Sequence, residues 1–282
     1  MMGKNLTIEN LISQAYELLL EVYENDTPEN GDQYWLMLGE IIKELDDGYS
    51  TNDFDEIKML TQSKDPLERE IGAHILGNYT VFFKSKRSFQ AESIVILTAL
   101  LNDKNEHVIT STAFSLGYLG DPSCIKNLMK LIDHKNPEIR RGIVSGLSCH
   151  NDNLAVSGLI KLSSDKDFET RNWATFGLAR QCKIDTKELR KALFDRLLED
   201  NNEIRGEALM GLAERKDPNI KAALTKELSG PFYGNGAIEA AKLTQDPYYY
   251  PLLQKLRKRL DGNAEENFIN NIDEAMEACK AK

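Results

Sequence analysis

The strongest constraint on this chain is that it repeats itself. Five segments share one shape: Asp65 to Gly77, Asn105 to Gly117, Asn136 to Ser148, Asp167 to Ala179 and Asn201 to Ala213. Each opens on a turn-forming Asp or Asn. Four then carry an arginine (Arg69, Arg140, Arg171, Arg205), where the second copy has Ile109. Each closes on a leucine (Leu76, Leu116, Leu147, Leu178, Leu212) followed by Gly, Ser or Ala, and the leucines are spaced 40, 31, 31 and 34 residues apart. A sixth, degraded copy keeps small residues at Ala237, Ala240 and Ala241 and has Gly234 in place of the arginine. A period in this range is the signature of stacked supersecondary units, none of which buries its apolar face alone.

A second motif alternates with the first. Asp121-Pro122, Asp152-Asn153, Asp185-Thr186, Asp217-Pro218 and Asp246-Pro247 follow the closing leucines, and each starts a new amphipathic run. Aspartate before proline is a helix start with a physical cause. The carboxylate accepts orphan backbone N–H groups of the first turn, and proline has no N–H to lose there. Each unit therefore reads as helix, tight turn, helix, with no room for strands.

The Asp/Asn-x-x-Ile-Arg-x-x-Ala-x-x-x-Leu-Gly/Ala pattern and the Asp-Pro turns resemble the HEAT-repeat superfamily, in the short-period form of the phycobilin lyases. The resemblance covers residues 63–260. It implies an all-α, right-handed α-solenoid, a superhelix of about six helix pairs with helical caps. It also implies that Arg69, Arg140, Arg171 and Arg205 form a structural ladder linking neighbouring repeats. Residues 1–62 are then an acidic N-terminal helical cap, 63–260 the array and 261–282 a C-terminal capping helix. Within the cap, helices are expected over 6–24, 35–45 and 54–61, with loops at Pro28, Gly31 and Gly48. A long insertion separates the first two copies, from Tyr79 to Phe89. The last helix spans Ala264 to Ala281, with Phe268, Ile272 and Met276 on one face.

The arginine-bearing helices line the concave side in such a solenoid. In the fourth copy Ala174 and Leu178 face inward, while Trp173, Phe176 and Arg180 fall together about 150° away, at 100° per residue. The same offsets give Ile71, Ser111, Gly142, Trp173 and Glu207 in one row. The next rows are His74, Phe114, Ser145, Phe176 and Met210, then Asn78, Tyr118, Cys149, Arg180 and Glu214. A solvated row would be Lys, Glu and Gln. This one holds aromatics, as partner-binding faces do. The expected partner-binding residues are His74, Phe114, Tyr118, Trp173, Phe176, Arg180, Glu207, Met210 and Glu214.

No catalytic, metal or cofactor motif accompanies the row. HExxH, GxSxG, a P-loop and a helix-opening GxGxxG are missing. His74, His107, His134 and His150 belong to four different copies. Cys149 and His150 are adjacent, so on a helix they point about 100° apart, poor geometry for a nucleophile and its base. Asp46, Asp47, Asp53, Asp55 and Glu56 lack the glycine and glutamate spacing of a calcium loop. The four scattered cysteines read as reduced thiols, and without a leader or an apolar span the chain reads as cytoplasmic.

The formal charge is −10, from 35 basic and 45 acidic residues. It is segmental: residues 1–62 hold 14 acids and three bases, residues 63–282 hold 31 acids and 32 bases. The expected function is a non-enzymatic protein-binding scaffold, an inhibitor or immunity-type protein masking a basic partner. Two other classes follow from the resemblance: a DNA-binding glycosylase using Trp173, Arg180 and Glu207, and a tetrapyrrole lyase or chaperone. Nucleic acid is disfavoured because the lining carries Glu70, Glu207, Glu214 and Glu239 beside few bases.

Overall fold

Turn chemistry sets most of the helix starts from Pro66 to Tyr250. The structure, a computed structural model, describes residues 8–25, 28–48, 51–82, 89–148, 150–230, 234–260 and 265–280, and no strand occurs among them. The chain forms two compact units, residues 1–149 and 150–282. The first holds α1 (Ile8–Asn25), α2 (Pro28–Gly48), α3 (Thr51–Thr61), α4 (Pro66–Phe82), α5 (Gln90–Leu100), α6 (Glu106–Leu119), α7 (Ile125–Met129) and α8 (Pro137–Ser148). The second holds α9 (Asn153–Leu162), α10 (Phe168–Phe176), α11 (Lys187–Arg196), α12 (Asn202–Glu214), α13 (Lys221–Ser229), α14 (Asn235–Thr244), α15 (Tyr250–Arg259) and α16 (Glu266–Ala278). The fold is an all-α solenoid of helix pairs.

The repeated Asp and Asn residues act as N-caps. Asp65 accepts from the Leu67 N–H at 2.9 Å, Asn136 from Glu138 at 2.9 Å, Asp167 from Thr170 at 2.8 Å and Asn201 from Glu203 at 2.8 Å. Asn105 caps α6 in the same way. Asp121, Asp217 and Asp246 cap short 3₁₀ turns with proline in the first turn, which run on into α7, α13 and α15. One expected cap is corrected. Thr186, not Asp185, accepts from the first turn of α11, because both Asp185 oxygens are taken by the Arg190 guanidinium at 2.7 Å.

The closing leucines are the core, all 2% exposed or less. After Leu76, Leu116 and Leu178 the small residue lies where one helix of the repeated kind meets the next within its own unit. A methyl placed on Gly77 would sit 2.6 Å from the Cα of Ser115, and one on Gly117 would sit 3.0 Å from the Cα of Gly146. In the second unit, a methyl on Gly211 would lie 2.8 Å from the Cα of Ala179.

The arginines form rungs of one design. Each sends Nη1 back to carbonyls of its own opening turn: Arg69 to Ser63, Arg140 to His134, Arg171 to Asp165 and Arg205 to Glu199, at 2.7 to 2.9 Å. The same guanidinium then reaches a carboxylate further along the chain. Arg69 pairs with Asp103 at 2.7 Å, Arg171 with Glu199 at 3.1 Å and Arg205 with Glu227 at 2.7 Å. The Arg69 and Arg205 pairs are forked through Nε and Nη2, and the Arg171 pair is a single ionic approach; such mostly buried guanidinium groups satisfy turn carbonyls while fixing the register of successive units.

The N-terminal helices depart from expectation in extent. Pro28 and Gly31 lie inside α2, which starts at Pro28, since proline costs nothing in a first turn. The segment from Tyr79 begins as a continuation of α4 to Phe82, and residues 83–88 of that insertion lie outside the described residues. At the other end α16 buries Ile272 completely, while Ala264 and Ala281 lie outside the described residues.

Candidate partner-binding face

In the first unit the start of the predicted row is covered. Helices α1 and α2 both pack on α4 and lie over its row face. The Tyr23 hydroxyl donates to Glu70 at 2.7 Å, and the Ser111 hydroxyl donates to the same carboxylate at 2.8 Å. Tyr34 shares a 2.6 Å hydrogen bond with His74 Nδ1, and the Trp35 ring stands 5.0 Å from the imidazole. Ile71, His74 and Ser111 are consequently buried. His74 is therefore corrected from a surface position to a packed one; burial also holds its pKa below 6.5, against the pull of nearby Glu70. Partial desolvation of its hydroxyl and the Glu70 charge push the Tyr23 phenol up, although part of the side chain stays exposed. Helices α1 and α2 thus cover one end of the row. Sequence periodicity places helices at the end of an array but does not say that they fold back over a face.

Beyond the cover, α6 presents Phe114 half-buried beside Gly142, and Tyr118 is exposed. Ser145 on α8 is half-buried, and Cys149 lies outside the described residues.

The second unit carries the fuller site. Trp173 is 53% exposed, and Phe176 packs edge-on against it with ring centroids 5.8 Å apart. The helix then loosens: Gly177–Gln181 is a π turn, closed by the Cys182 N–H on the Gly177 carbonyl at 3.0 Å. This turn carries Arg180, which donates to Met210 Sδ at 2.7 Å. Its loosened carbonyls are gathered by Arg215, which donates to Leu178 at 3.0 Å and Cys182 at 2.8 Å. Single-turn π segments recur at functional sites because they re-aim side chains. Sequence reasoning missed Arg215, which has no repeat position to mark it.

Next to these aromatics a groove of about 350 Å³ opens between α10, α12 and α14. Phe176, Arg180 and Met210 line one side; Glu203, Glu207 and Glu239 supply three carboxylates. Gly206, Gly234 and Gly236 also line it, and α12 and α14 come so close there that a methyl on Gly206 would lie 3.1 Å from the Cα of Gly236. Glu207 Oε2 is buried with no hydrogen-bond donor. Burial raises the Glu207 pKa, partly offset by Arg180. Glu214, the last predicted residue, is exposed, and Met210 is mostly buried. Glu239 and Gly234 were legible in the sequence, as a lining acid and as the residue in place of the ladder arginine; Glu203, Gly206 and Gly236 occupy offsets that the pattern does not mark.

The four histidines have local roles or packing. His107 stacks against Tyr23 with centroids 4.5 Å apart, His134 accepts from the Asn136 N–H at 3.2 Å, and His150 is buried. Cys124, Cys182 and Cys279 are free and buried. Among the described residues no three His, Cys, Asp or Glu side chains are grouped to hold a metal, and no helix is long and apolar enough to cross a membrane.

Arginine rungs, Asp and Asn caps and glycine contacts repeated on successive helix pairs define a HEAT-like repeat protein, and residues 94–179 match a family model described as HEAT repeats. Among individual proteins, the chain is similar to Protein YibA of Escherichia coli K12. The two are 29% identical over 206 residues, which is 71% of this chain and 72% of that one. The X-ray structure of YibA superposes on 98% of this chain and 99% of its own, with a TM-score of 0.67 and 22% identity. The complex of CpcE and CpcF of phycocyanin lyase from Nostoc sp. PCC7120 aligns over 99% of this chain and 97% of that one at 16% identity, with a TM-score of 0.46.

Proposed function

We propose that this protein is a non-enzymatic scaffold that binds a protein partner through the Trp173–Phe176 face and the adjoining groove, and that it acts as an inhibitor or immunity-type protein by masking a basic partner. The observation that carries the reading is the half-exposed Trp173 held edge-on to Phe176, which itself lines a groove with three carboxylates. Tryptophan is enriched among the residues that carry most of the energy of protein interfaces. Three carboxylates against one arginine in the lining favour a basic partner, and are the wrong sign for a phosphate backbone. The uneven charge of the chain supports the same choice, because the acidic N-terminal 62 residues would speed encounter with a basic surface.

The test is affinity capture from native lysate with the intact chain and with a Trp173→Ala, Phe176→Ala double variant, each shown by circular dichroism to be folded. A partner of basic isoelectric point, retained by the intact chain and lost by the variant, is the expected result. Equal capture by both removes the reading. A gel shift at low salt with duplex DNA is expected to show no tight complex.

A further inference from the structure

We infer that the groove between α10, α12 and α14 is a receptor for an arginine side chain of the partner. The inference rests on the reading of this face as protein-binding and names what enters it. Three features converge. First, Glu207 Oε2 is buried without a donor among the described residues, and a buried carboxylate oxygen left unpaired is destabilising. A cation with N–H groups supplies what is missing. Second, the charges are unbalanced. Among the described residues Glu239 has a long 3.9 Å pair with Lys242 and no closer one, and the lining's one base, Arg180, hydrogen-bonds the Met210 sulfur and offsets Glu207 in part. Third, the lining includes an aromatic ring, Phe176, and a planar guanidinium packs on such a ring better than a hydrated ammonium does.

One feature opposes a cation. The first turn of α14, from Gly234 to Gly236, lines the groove and has no side-chain cap. A helix N-terminus contributes roughly half a positive charge, against three carboxylates and Arg180, so the sum stays negative. The 350 Å³ volume admits one long side chain with its water, and not a helix. Arginine fits better than lysine because its fork reaches a carboxylate through two parallel N–H groups while its face rests on Phe176.

The probe is a hexa-arginine peptide, read by Trp173 fluorescence in a Trp35→Phe background, with hexa-lysine as comparison. Hexa-arginine is expected to bind at least tenfold more tightly than hexa-lysine. Glu207→Gln, which keeps the shape, is expected to weaken hexa-arginine at least tenfold with an unchanged melting curve; Phe176→Leu is expected to erase the preference over lysine. A competing acidic groove exists between α1 and α3, lined by Glu9, Glu56, Asp65 and Glu68. Binding lost in Glu9→Gln plus Glu56→Gln and kept in Glu207→Gln would overturn the inference. The two readings fail separately. Partner capture that needs Trp173 and Phe176 but not Glu207 sinks the arginine receptor alone. Hexa-arginine binding that needs Glu207, with partner capture indifferent to both aromatics, sinks the scaffold reading alone.

Discussion

Two glycine-to-alanine changes in the N-terminal unit should move stability in opposite directions. Gly77 and Gly39 both lie inside helices, α4 and α2. In an open helix, alanine is better than glycine by about 0.8–1.0 kcal/mol. At Gly39 nothing lies within 4 Å of the added methyl, so this gain is expected in full. At Gly77 the methyl would stand 2.6 Å from Ser115 Cα and 2.5 Å from its Oγ. Ordinary contact begins near 3.4 Å, so α4 and α6 must part by roughly 1 Å, and overpacking of that kind costs about 1–3 kcal/mol. Because the obstacle is backbone, which does not rotate away, the upper half of that range applies. Subtracting the propensity gain leaves a net loss of about 1–2 kcal/mol. Urea unfolding followed by far-UV circular dichroism at constant pH is the assay. Each variant is compared by its first transition, since repeat arrays need not melt in one step. Gly39→Ala should raise the midpoint and Gly77→Ala lower it. Equal stabilisation of both would show that α4 and α6 are not in backbone contact at Gly77, and the account of the small-residue positions would fall with it.

Further predictions follow from the same geometry. Arg215→Lys should destabilise the second unit by about 2–3 kcal/mol despite keeping the charge, because an ammonium cannot fork among the carbonyls of Leu178, Cys182 and Gly211; faster amide exchange over 177–184 checks it. His74 has a folded-state pKa depressed below 6.5, so below about pH 6.5 the unfolded chain binds the extra proton and stability falls as pH drops towards the folded value. The drop in urea midpoint between pH 7.5 and 5.5 should shrink in His74→Phe; an unchanged drop refutes the assignment. Trp35 and Trp173, at 50% and 53% exposed, should both be quenched by acrylamide in the free protein. In Trp35→Phe, a bound partner should protect the remaining fluorophore.

The architecture was largely written in the chain. Leu147 and Leu178 sit 31 residues apart, and Asp or Asn opens each unit, so helix pairs and their order follow from local capping and periodicity. The small residues after the leucines could be seen as a pattern; that they mark helix-to-helix contact needed Gly77 placed against Ser115. The rungs were legible as arginines, but their carboxylate partners were not. Asp103, Glu199 and Glu227 stand 34, 28 and 22 residues downstream, at no fixed offset.

The candidate site divides the same way. Helical angles alone brought Trp173 and Phe176 to one side, because a wheel depends only on the backbone repeat, whereas Arg180 stands on a π turn where that repeat no longer holds. The same wheel put His74 on the row and could not know that α1 and α2 fold over it, since that depends on contacts between residues about 40 to 50 apart, such as Tyr34 with His74 and Tyr23 with Glu70. The groove, too, arises only when α12 and α14 close upon each other through Gly206 and Gly236 and leave Glu207 without a donor. Sequence by itself determined what repeats and which way each helix faces. Tertiary structure decided which part of that face stays open, because burial is a property of what packs on a surface and not of the surface's own period.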